Sequence, residues 1–293
     1  MQELMPRVDI ITVNYNGSGS LKGYFEGLKM LDYPKSKLRL FFVDNASQDG
    51  SAAFARSCDP GFVVEVIVNE QNLGFAAANN LALARCDAPF VALLNNDTKV
   101  EPDWLSRLTA KISSDPGIAV AGSRQVPQES SRKIDPVTQE TSWCGGGHCL
   151  IRTEALARAG HFDERFFMYG EDIDLCWRMW LAGYSCVYVP DAVCRHHYDG
   201  AVPFLSRRMY YHVRNSILLR YAYGEQGEVK QEIARWAREG CARGLRHFRF
   251  RESFAIFAGV LGHYRQTGYF LKKGAELKKN ARFARIRATW ITL

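Results

Sequence analysis

The first 122 residues alternate between short apolar runs and amphipathic segments. Five runs have the length and the β-branched or aromatic content of strands, at residues 8–14, 38–44, 62–68, 89–95 and 118–122. Between the first two, apolar residues recur at Leu21, Phe25, Leu28 and Leu31, which is helical spacing. This alternation of strands and helices predicts an α/β fold, a Rossmann-like, mostly parallel sheet with helices on both faces.

Asn and Asp residues follow four of the five predicted strands, at 14–16, 44–47, 69–72 and 95–97. Each cluster alone is typical of a turn. In open α/β sheets, however, ligands bind outside the carboxyl ends of the strands. Four such ends together favour a nucleotide or sugar site.

The second half of the chain changes character twice. Residues 123–142 are polar and loop-like, and a helix is predicted from about residue 171 to 181, ended by Gly183. From residue 204 the pattern is helical to the end. We therefore expect two regions: a catalytic domain over 1–203 and a basic, amphipathic helical region over 204–293.

Charge divides the chain at the same place. From residue 204 onward there are 19 Lys and Arg against six Asp and Glu, whereas residues 1–203 carry 19 against 25. A basic C-terminal third favours an anionic partner, either membrane or nucleic acid, and a solvated helical face is equally compatible. The eight cysteines form no C-x-x-C pair, and we find no secretion signal and no apolar run of membrane-spanning length. These features predict a cytosolic protein with reduced thiols.

Three groups of residues could carry chemistry. Asp97 follows a buried strand and offers a carboxylate to Mg²⁺ or Mn²⁺, with Asn95 in the same phase. Either His196 or His197 could complete that metal site, or be a plain imidazole. A zinc site built from Cys144, His148, Cys149, Cys194 and His196 matches no compact zinc pattern.

The third group is acidic and lies at the predicted start of the helix near residue 171. Glu171, Asp172 and Asp174 either cap this helix or supply a general base. Asp172 and Asp174 cannot share a helix face, so only one is expected to be the base. We expect Arg178 to pair with Asp174 one turn away.

Neither a G-x-x-x-x-G-K-[ST] phosphate loop nor a G-x-G-x-x-G turn after the first strand is present. These absences argue against P-loop ATPases and ordinary NAD enzymes. A metal-dependent nucleotidyltransferase remains an alternative, although the first loop, NYNGSGSLKG, carries only Lys22 as a cation. A nucleic-acid-binding protein that uses the basic tail is a further alternative.

The motifs VDIITVNYNG, FFVDNASQDGS, NEQNLGFAAANN, FVALLNNDT and FDERFFMYGEDIDLCWRMWLAGY occur in this order. Together they resemble family 2 glycosyltransferases of the GT-A fold, and most of all the rhamnosyltransferase-like branch, over about residues 6–222. The resemblance implies an inverting transfer of one sugar, possibly rhamnose, from a dTDP- or UDP-sugar to a hydroxyl. The acceptor would be a glycan or a lipid-linked saccharide of cell-surface polysaccharide synthesis.

The resemblance also implies roles for particular residues. Asp172 would be the catalytic base, Asp44 would bond the pyrimidine N3–H, and Asp97 and His196 would hold Mg²⁺ or Mn²⁺. The rest of the nucleotide pocket would comprise Thr12, Asn14, Asn16, Asn72, Gly74, Asn95 and Asn96. The sugar and acceptor would be bordered by Trp143, Gly146 and Glu171.

This sequence departs from the family at one position, because Asn95 replaces the first Asp of the common Asp-x-Asp metal motif. It also lacks the Q-x-x-R-W motif of the processive synthases, so we expect one sugar per event. The basic helices predict a peripheral position on the anionic inner face of the cell membrane. We expect no nucleic-acid partner, and the helices after residue 204 are also compatible with a homodimer.

Overall fold

A computed structural model describes residues 5–129, 132–196, 205–225 and 227–291. Within these ranges eight strands form one sheet: β1 Val8–Asn14, β2 Leu38–Asp44, β3 Val63–Val68, β4 Phe90–Leu94, β5 Thr98–Val100, β6 Ile118–Val126, β7 His148–Arg152 and β8 Ser185–His196. The five predicted strands all form, within a few residues of their predicted ends.

The sheet has the strand order β3-β2-β1-β4-β7-β6-β8-β5. The strands β3, β2, β1 and β4 run parallel to one another. β7 lies antiparallel between β4 and β6, and β5 is antiparallel to β8. The N-terminal half is therefore the predicted parallel sheet, whereas the other half is mixed, because a strand from the later GGGHCLIR segment separates β6 from β4.

The described helices cover both faces of the sheet: α1 Ser18–Lys29, α2 Ser51–Ser57, α3 Gly74–Leu83, α4 Trp104–Ser113, α5 Thr153–Ala159, α6 Glu171–Ala182, α7 Leu205–Tyr223, α8 Glu228–His247, α9 Phe250–Gly262, α10 Thr267–Lys278 and α11 Phe283–Thr289. Alternate residues of β1 belong to two separate buried clusters. Ile10 belongs to the same buried cluster as Leu21 and Leu28 of α1, whereas Ile11 belongs to the other cluster, which contains Trp177 of α6. This is the two-residue period of a strand that is covered on both sides.

Several C-terminal helices share the core of the sheet. Leu218 and Tyr223 of α7, Phe270 of α10 and Ile286 of α11 belong to the same buried cluster as Ile11. The expected boundary between residues 203 and 204 lies outside the described residues. None of the helices in the described ranges combines the length and the apolar run that a bilayer crossing requires.

Candidate active site

The ends of β1 and β2 meet because the two strands are paired in parallel with Asn14 opposite Asp44. The side-chain amide of Asn14 donates to Asp44 Oδ2 at 3.0 Å, and the backbone N–H of Ser47 donates to Asp44 Oδ1 at 2.8 Å. Both residues are buried. Hydrogen bonds on both of its oxygens thus hold the Asp44 carboxylate in one orientation at the strand end.

Asn45, which the sequence analysis did not single out, ties this end to the loop before α3. Its amide nitrogen donates to Asn72 Oδ1 at 3.0 Å and to the Gly74 carbonyl at 3.1 Å, and its oxygen accepts from the Leu73 N–H at 3.1 Å. Gly74 has φ +85°, and a methyl group there would lie 2.5 Å from the Phe167 carbonyl oxygen. Only glycine fits both the conformation and the space.

The end of β4 is attached to two neighbouring loops. Asn96 donates through its side-chain amide to Asn14 Oδ1, which joins the ends of β4 and β1. The Asn95 N–H donates to the Gly147 carbonyl at 2.8 Å. The Asn-Asn-Asp segment is therefore held by the strand end on one side and by the glycine loop on the other.

Asp97 and His196 come together through sheet pairing. Thr98, which follows Asp97, is opposite His196 in the antiparallel β5–β8 ladder. His196 Nε2 lies 3.3 Å from Asp97 Oδ1. A carboxylate and an imidazole at this distance are donors that a divalent cation accepts, with diphosphate oxygens as the usual remaining ligands.

The described residues contain no group of three or more His, Cys, Asp or Glu side chains arranged for a metal. The zinc site considered in the sequence analysis is therefore not formed within the described part of the chain. Asp97 and His196 remain a two-residue donor set, which suits a metal that is shared with a ligand.

A cleft of about 230 Å³ lies at these strand ends. The predicted residues that line it are Asn72, Gly74, Asn95, Asn96 and Asp97, together with Asn45. Phe167, Arg207 and Arg208 also line it, and the remaining lining residues are Val13, Tyr15, Phe75 and Met168. The Arg207 guanidinium lies 5.1 Å from the centre of the Phe167 ring. We name this space the strand-end cleft. The two arginines bring positive charge from α7 to a site where Asp97 contributes negative charge.

Asp172 lies in the first turn of α6, just after Gly170, whose φ is +92°. The Gly146 N–H donates to Asp172 Oδ2 at 3.1 Å, and the Ile173 N–H donates to Asp172 Oδ1 at 2.8 Å. Burial raises the pKa of Asp172 to about 6, although these N–H groups oppose the shift. The carboxylate is oriented and only moderately acidic, as a general base requires.

Glu171 is buried beside Asp172, and its Oε2 has no hydrogen-bond partner among the described residues. Burial, and then the charge of Asp172, raise the pKa of Glu171 well above its usual value. Burial thus favours the protonated form of this carboxyl group.

Asp174 has a different environment. It accepts from Arg178 Nε at 2.8 Å, from Lys273 Nζ at 2.6 Å and from the Tyr223 hydroxyl at 2.8 Å. Burial would raise the pKa of Asp174, but the charges of Lys273 and Arg178 outweigh it and lower the pKa to about 2. The predicted pairing with Arg178 is confirmed, and Asp174 is a structural anion rather than a base.

Nine of the predicted residues do not line the cleft: Asn14, Asp44, Gly146, Glu171, Asp172, His196, Thr12, Asn16 and Trp143. Thr12 is fully buried, and its hydroxyl donates to the Leu94 carbonyl at 2.8 Å and bonds the Tyr24 hydroxyl. Asn16 is exposed, and its side-chain oxygen accepts from the Gln48 N–H at 2.9 Å. Trp143 is half-buried, with the Arg132 guanidinium 6.0 Å from its ring centre. Thr12 thus supports the strand end from within the core.

Comparison with known proteins defines the class of protein to which this sheet and cleft belong. The chain belongs to glycosyl transferase family 2, whose family model matches residues 9–182. A second model, glycosyl transferase family group 2, matches residues 135–270. The family assignment favours sugar transfer over the nucleotidyl-transfer and nucleic-acid-binding alternatives.

Two curated relatives are rhamnosyltransferases. The chain is 25% identical to the N-acetylglucosaminyl-diphospho-decaprenol L-rhamnosyltransferase of Mycobacterium tuberculosis, over 67% of this chain and 77% of the relative. It is 40% identical to rhamnosyltransferase WbbL of Escherichia coli K12, over 31% of this chain and 34% of the relative. These matches support the predicted rhamnosyltransferase-like branch.

The fold is also similar to that of a solved enzyme, a mannosyltransferase from Pyrobaculum calidifontis in complex with GDP-Man and Mn²⁺. The TM-score is 0.59 at 18% identity, over 97% of this chain and 84% of that one. The predicted GT-A fold is thereby confirmed.

Proposed function

We propose that this glycosyltransferase moves one sugar, with inversion, from a dTDP- or UDP-sugar to a hydroxyl of a glycan or lipid-linked acceptor in cell-surface polysaccharide synthesis. The observation that carries the proposal is that two carboxylates on one helix have different environments and opposite pKa shifts. Asp174 is neutralised by two cations, whereas Asp172 carries a raised pKa and is aimed by the Gly146 N–H. This leaves a single base, as a direct displacement with inversion requires.

The strand-end cleft suits the donor. Asp44 would accept the pyrimidine N3–H, and Asn14, Asn45 and Asn72 would hold the nucleotide end of the cleft by their hydrogen-bond network. Arg207 and Arg208 would bind the diphosphate, because guanidinium groups match phosphate oxygens in geometry and charge. We assign Thr12 to support of this pocket rather than to contact with the nucleotide.

Asp97 and His196 would hold Mg²⁺ or Mn²⁺, the donor set being completed by diphosphate oxygens. When bound, the cation supplies positive charge that stabilises the leaving diphosphate. Asn95 replaces a carboxylate of the family motif, so the site has one less negative charge than an Asp-x-Asp site. We therefore expect the metal to bind tightly only together with the nucleotide.

Asp172 would take the proton of the acceptor hydroxyl as its oxygen attacks the anomeric carbon. The bond from that carbon to the diphosphate oxygen breaks, the new glycosidic bond forms on the opposite face, and the proton passes from Asp172 to solvent. Glu171 and Gly146 would border the acceptor, with Trp143 nearby. The enzyme would act at the inner face of the cell membrane, where lipid-linked acceptors are available.

Sugar transfer is tested directly by incubating the protein with a panel of dTDP- and UDP-sugars and a polyprenyl-diphosphate-linked N-acetylglucosamine, chosen from the substrate named for the mycobacterial relative. Mass spectrometry should show addition of one sugar by the wild type and by Glu154→Gln, an exposed control. Asp172→Asn should retain donor binding but transfer at least about 100-fold more slowly. Transfer by Asp172→Asn at the wild-type rate would contradict the assignment of the base.

A further inference from the structure

Helix α9 is apolar on two opposite faces. One face, with Ala255, Ile256 and Gly259, is buried, and it also contains Glu252, which is ion-paired with Arg243 and Arg249. Gly259 marks the crossing with α7, because a methyl group there would lie 2.7 Å from the Tyr210 carbonyl oxygen. The packing of α9 on the protein is therefore complete without its other apolar face.

The second face is exposed. Phe250, Phe254, Phe257 and Leu261 recur at intervals of four, three and four residues, which is one helical stripe. Phe254 is 76% exposed and Leu261 is 66% exposed. We name these four residues the α9 stripe. A surface helix normally turns only one apolar face inward, and contiguous exposed apolar surface marks an interaction site.

The stripe continues around the turn between α8 and α9. Leu245 near the end of α8 and Phe248 in the turn are both exposed. Phe248 has φ +52°, so a bulky side chain is presented by a left-handed turn residue. We name Leu245 and Phe248 the hairpin tip. Apolar side chains thus extend from the hairpin tip along the length of α9.

Cations border this apolar surface. Arg251 is exposed and follows Phe250, so it lies at about 100° around the α9 axis from that residue. Arg265 is also exposed and follows the exposed Tyr264 in the short 3-10 helix His263–Gln266, which comes directly after α9. Arg249, also exposed, lies between Phe248 and Phe250 and forms an ion pair with Glu252. Aromatic side chains bordered by arginines are suited to the boundary between lipid headgroups and acyl chains.

The same cations make a second copy of this chain a poor partner. Two-fold pairing of the stripe would bring Arg251 and Arg265 of both copies together, within a region that carries a net charge of +13 from residue 204 onward. An anionic bilayer offers the complementary charge and an apolar layer at once.

We propose that the α9 stripe, with the hairpin tip, inserts into the interface of an anionic bilayer. Arg251 and Arg265 then contact lipid phosphates while the phenylalanines lie at the acyl boundary. Membrane binding by the α9 stripe does not depend on the proposed function. Only its consequence, the placement of the active site at the membrane, rests on that function. Because α9 lies on α7, which carries Arg207 and Arg208 of the strand-end cleft, docking sets the orientation of the cleft at the membrane.

Vesicle co-sedimentation tests the proposal with the full chain. We would compare vesicles of phosphatidylcholine alone with vesicles that also contain phosphatidylglycerol, at physiological salt. Wild type should pellet with the anionic vesicles, and Phe254→Ser/Leu261→Ser should partition at least about tenfold less. The matched control is Met30→Ser/Val137→Ser, which removes two apolar residues that are 63% and 87% exposed on the rest of the protein; it should bind like wild type.

A charge variant distinguishes the contribution of the arginines from that of the apolar stripe. Arg251→Glu/Arg265→Glu should lose the preference for anionic vesicles while its nucleotide-dependent thermal stabilisation stays unchanged. Equal vesicle binding by wild type and the stripe variant would overturn the proposal. So would a wild-type dimer in size-exclusion chromatography that the stripe variant alone abolishes, because a second copy would then occupy the stripe. Neither result depends on sugar transfer, so failure here is distinguishable from failure of the proposed function.

Discussion

His196 Nε2 lies 3.3 Å from Asp97 Oδ1, and the β5–β8 ladder holds them close because Thr98, which follows Asp97, is opposite His196. Both side chains sit directly at a strand terminus rather than within a long loop. A donor pair on paired strands is positioned before any ligand arrives, which reduces the entropy lost on binding. This relationship links the sheet topology to the proposed diphosphate end of the strand-end cleft.

The pH dependence of transfer should report Asp172. The deprotonated carboxylate is the active form, and burial raises the pKa of Asp172 to about 6 from an ordinary value near 3.8. We expect kcat/KM to fall as the pH is lowered through about 6, with full activity above about 7. A pH–rate profile at constant ionic strength measures this.

Glu171→Gln is the matched variant for that profile. Since burial is the main cause of the Asp172 shift, the acidic limb should stay near pH 6 even if the acceptor binds more weakly. If kcat/KM of the wild type instead fell only near pH 4, a group other than Asp172 would control the acidic limb of the profile.

Asp174 should contribute strongly to stability. Its folded-state pKa is lowered to about 2, so its contribution is fully present above about pH 4 and is lost as the pH falls through about 2. Asp174→Asn removes the carboxylate that pairs with Arg178 and one of the two carboxylates that pair with Lys273, the other being Asp163. It should lower the free energy of unfolding by about 3–5 kcal/mol at pH 7. Urea denaturation between pH 2 and 7 measures the free energy of unfolding of both proteins. The difference between wild type and Asp174→Asn should become smaller below pH 4.

A second i, i+4 pair provides the control. Glu154 and Arg158 form the same kind of contact at 2.7 Å, but both are exposed. Glu154→Gln should cost less than about 0.5 kcal/mol. Equal costs for the two variants would contradict a structural role for Asp174.

Gly74→Ala should damage the strand-end cleft, and Gly50→Ala is its control. Both glycines have nearly the same left-handed φ, +85° and +84°, but only at Gly74 would a methyl group meet other atoms within 4 Å. Each variant should lose about 1 kcal/mol or more from backbone strain. Gly74→Ala should additionally weaken nucleotide binding, measured by calorimetry, whereas equal affinities would exclude a role for the close contact with Phe167.

The strand ends were predictable because each feature is local. Apolar runs of strand length end in Asn or Asp, and parallel pairing brings those ends to one edge of the sheet. The helix of Glu171–Ala182 was predictable for the same reason, with Gly183 at φ +98° ending it. The residue roles within the site are proposals that began from family resemblance.

Other features depend on long-range contacts that no local pattern encodes. The insertion of β7 between β4 and β6 is a pairing choice, and the contact of Asp174 with Lys273 requires α10 to pack on α6. Arg207 and Arg208 were counted only as general positive charge, because nothing local indicates that α7 begins at the cleft. Asn45 resembled an ordinary turn residue, because its side-chain hydrogen bonds with Asn69, Asn72, Leu73 and Gly74 depend on how the chain folds.

Calorimetric titration of dTDP, UDP, GDP and CDP, each with and without Mn²⁺, tests the central claim most directly. We predict that one pyrimidine diphosphate binds, at least about tenfold more tightly with Mn²⁺, and that Asp97→Ala and His196→Ala each abolish the metal effect. Asp32→Ala, which removes an exposed carboxylate elsewhere, should behave like wild type. Binding that is unaffected by Mn²⁺ or by Asp97→Ala would contradict the metal-assisted donor site proposed for this cleft.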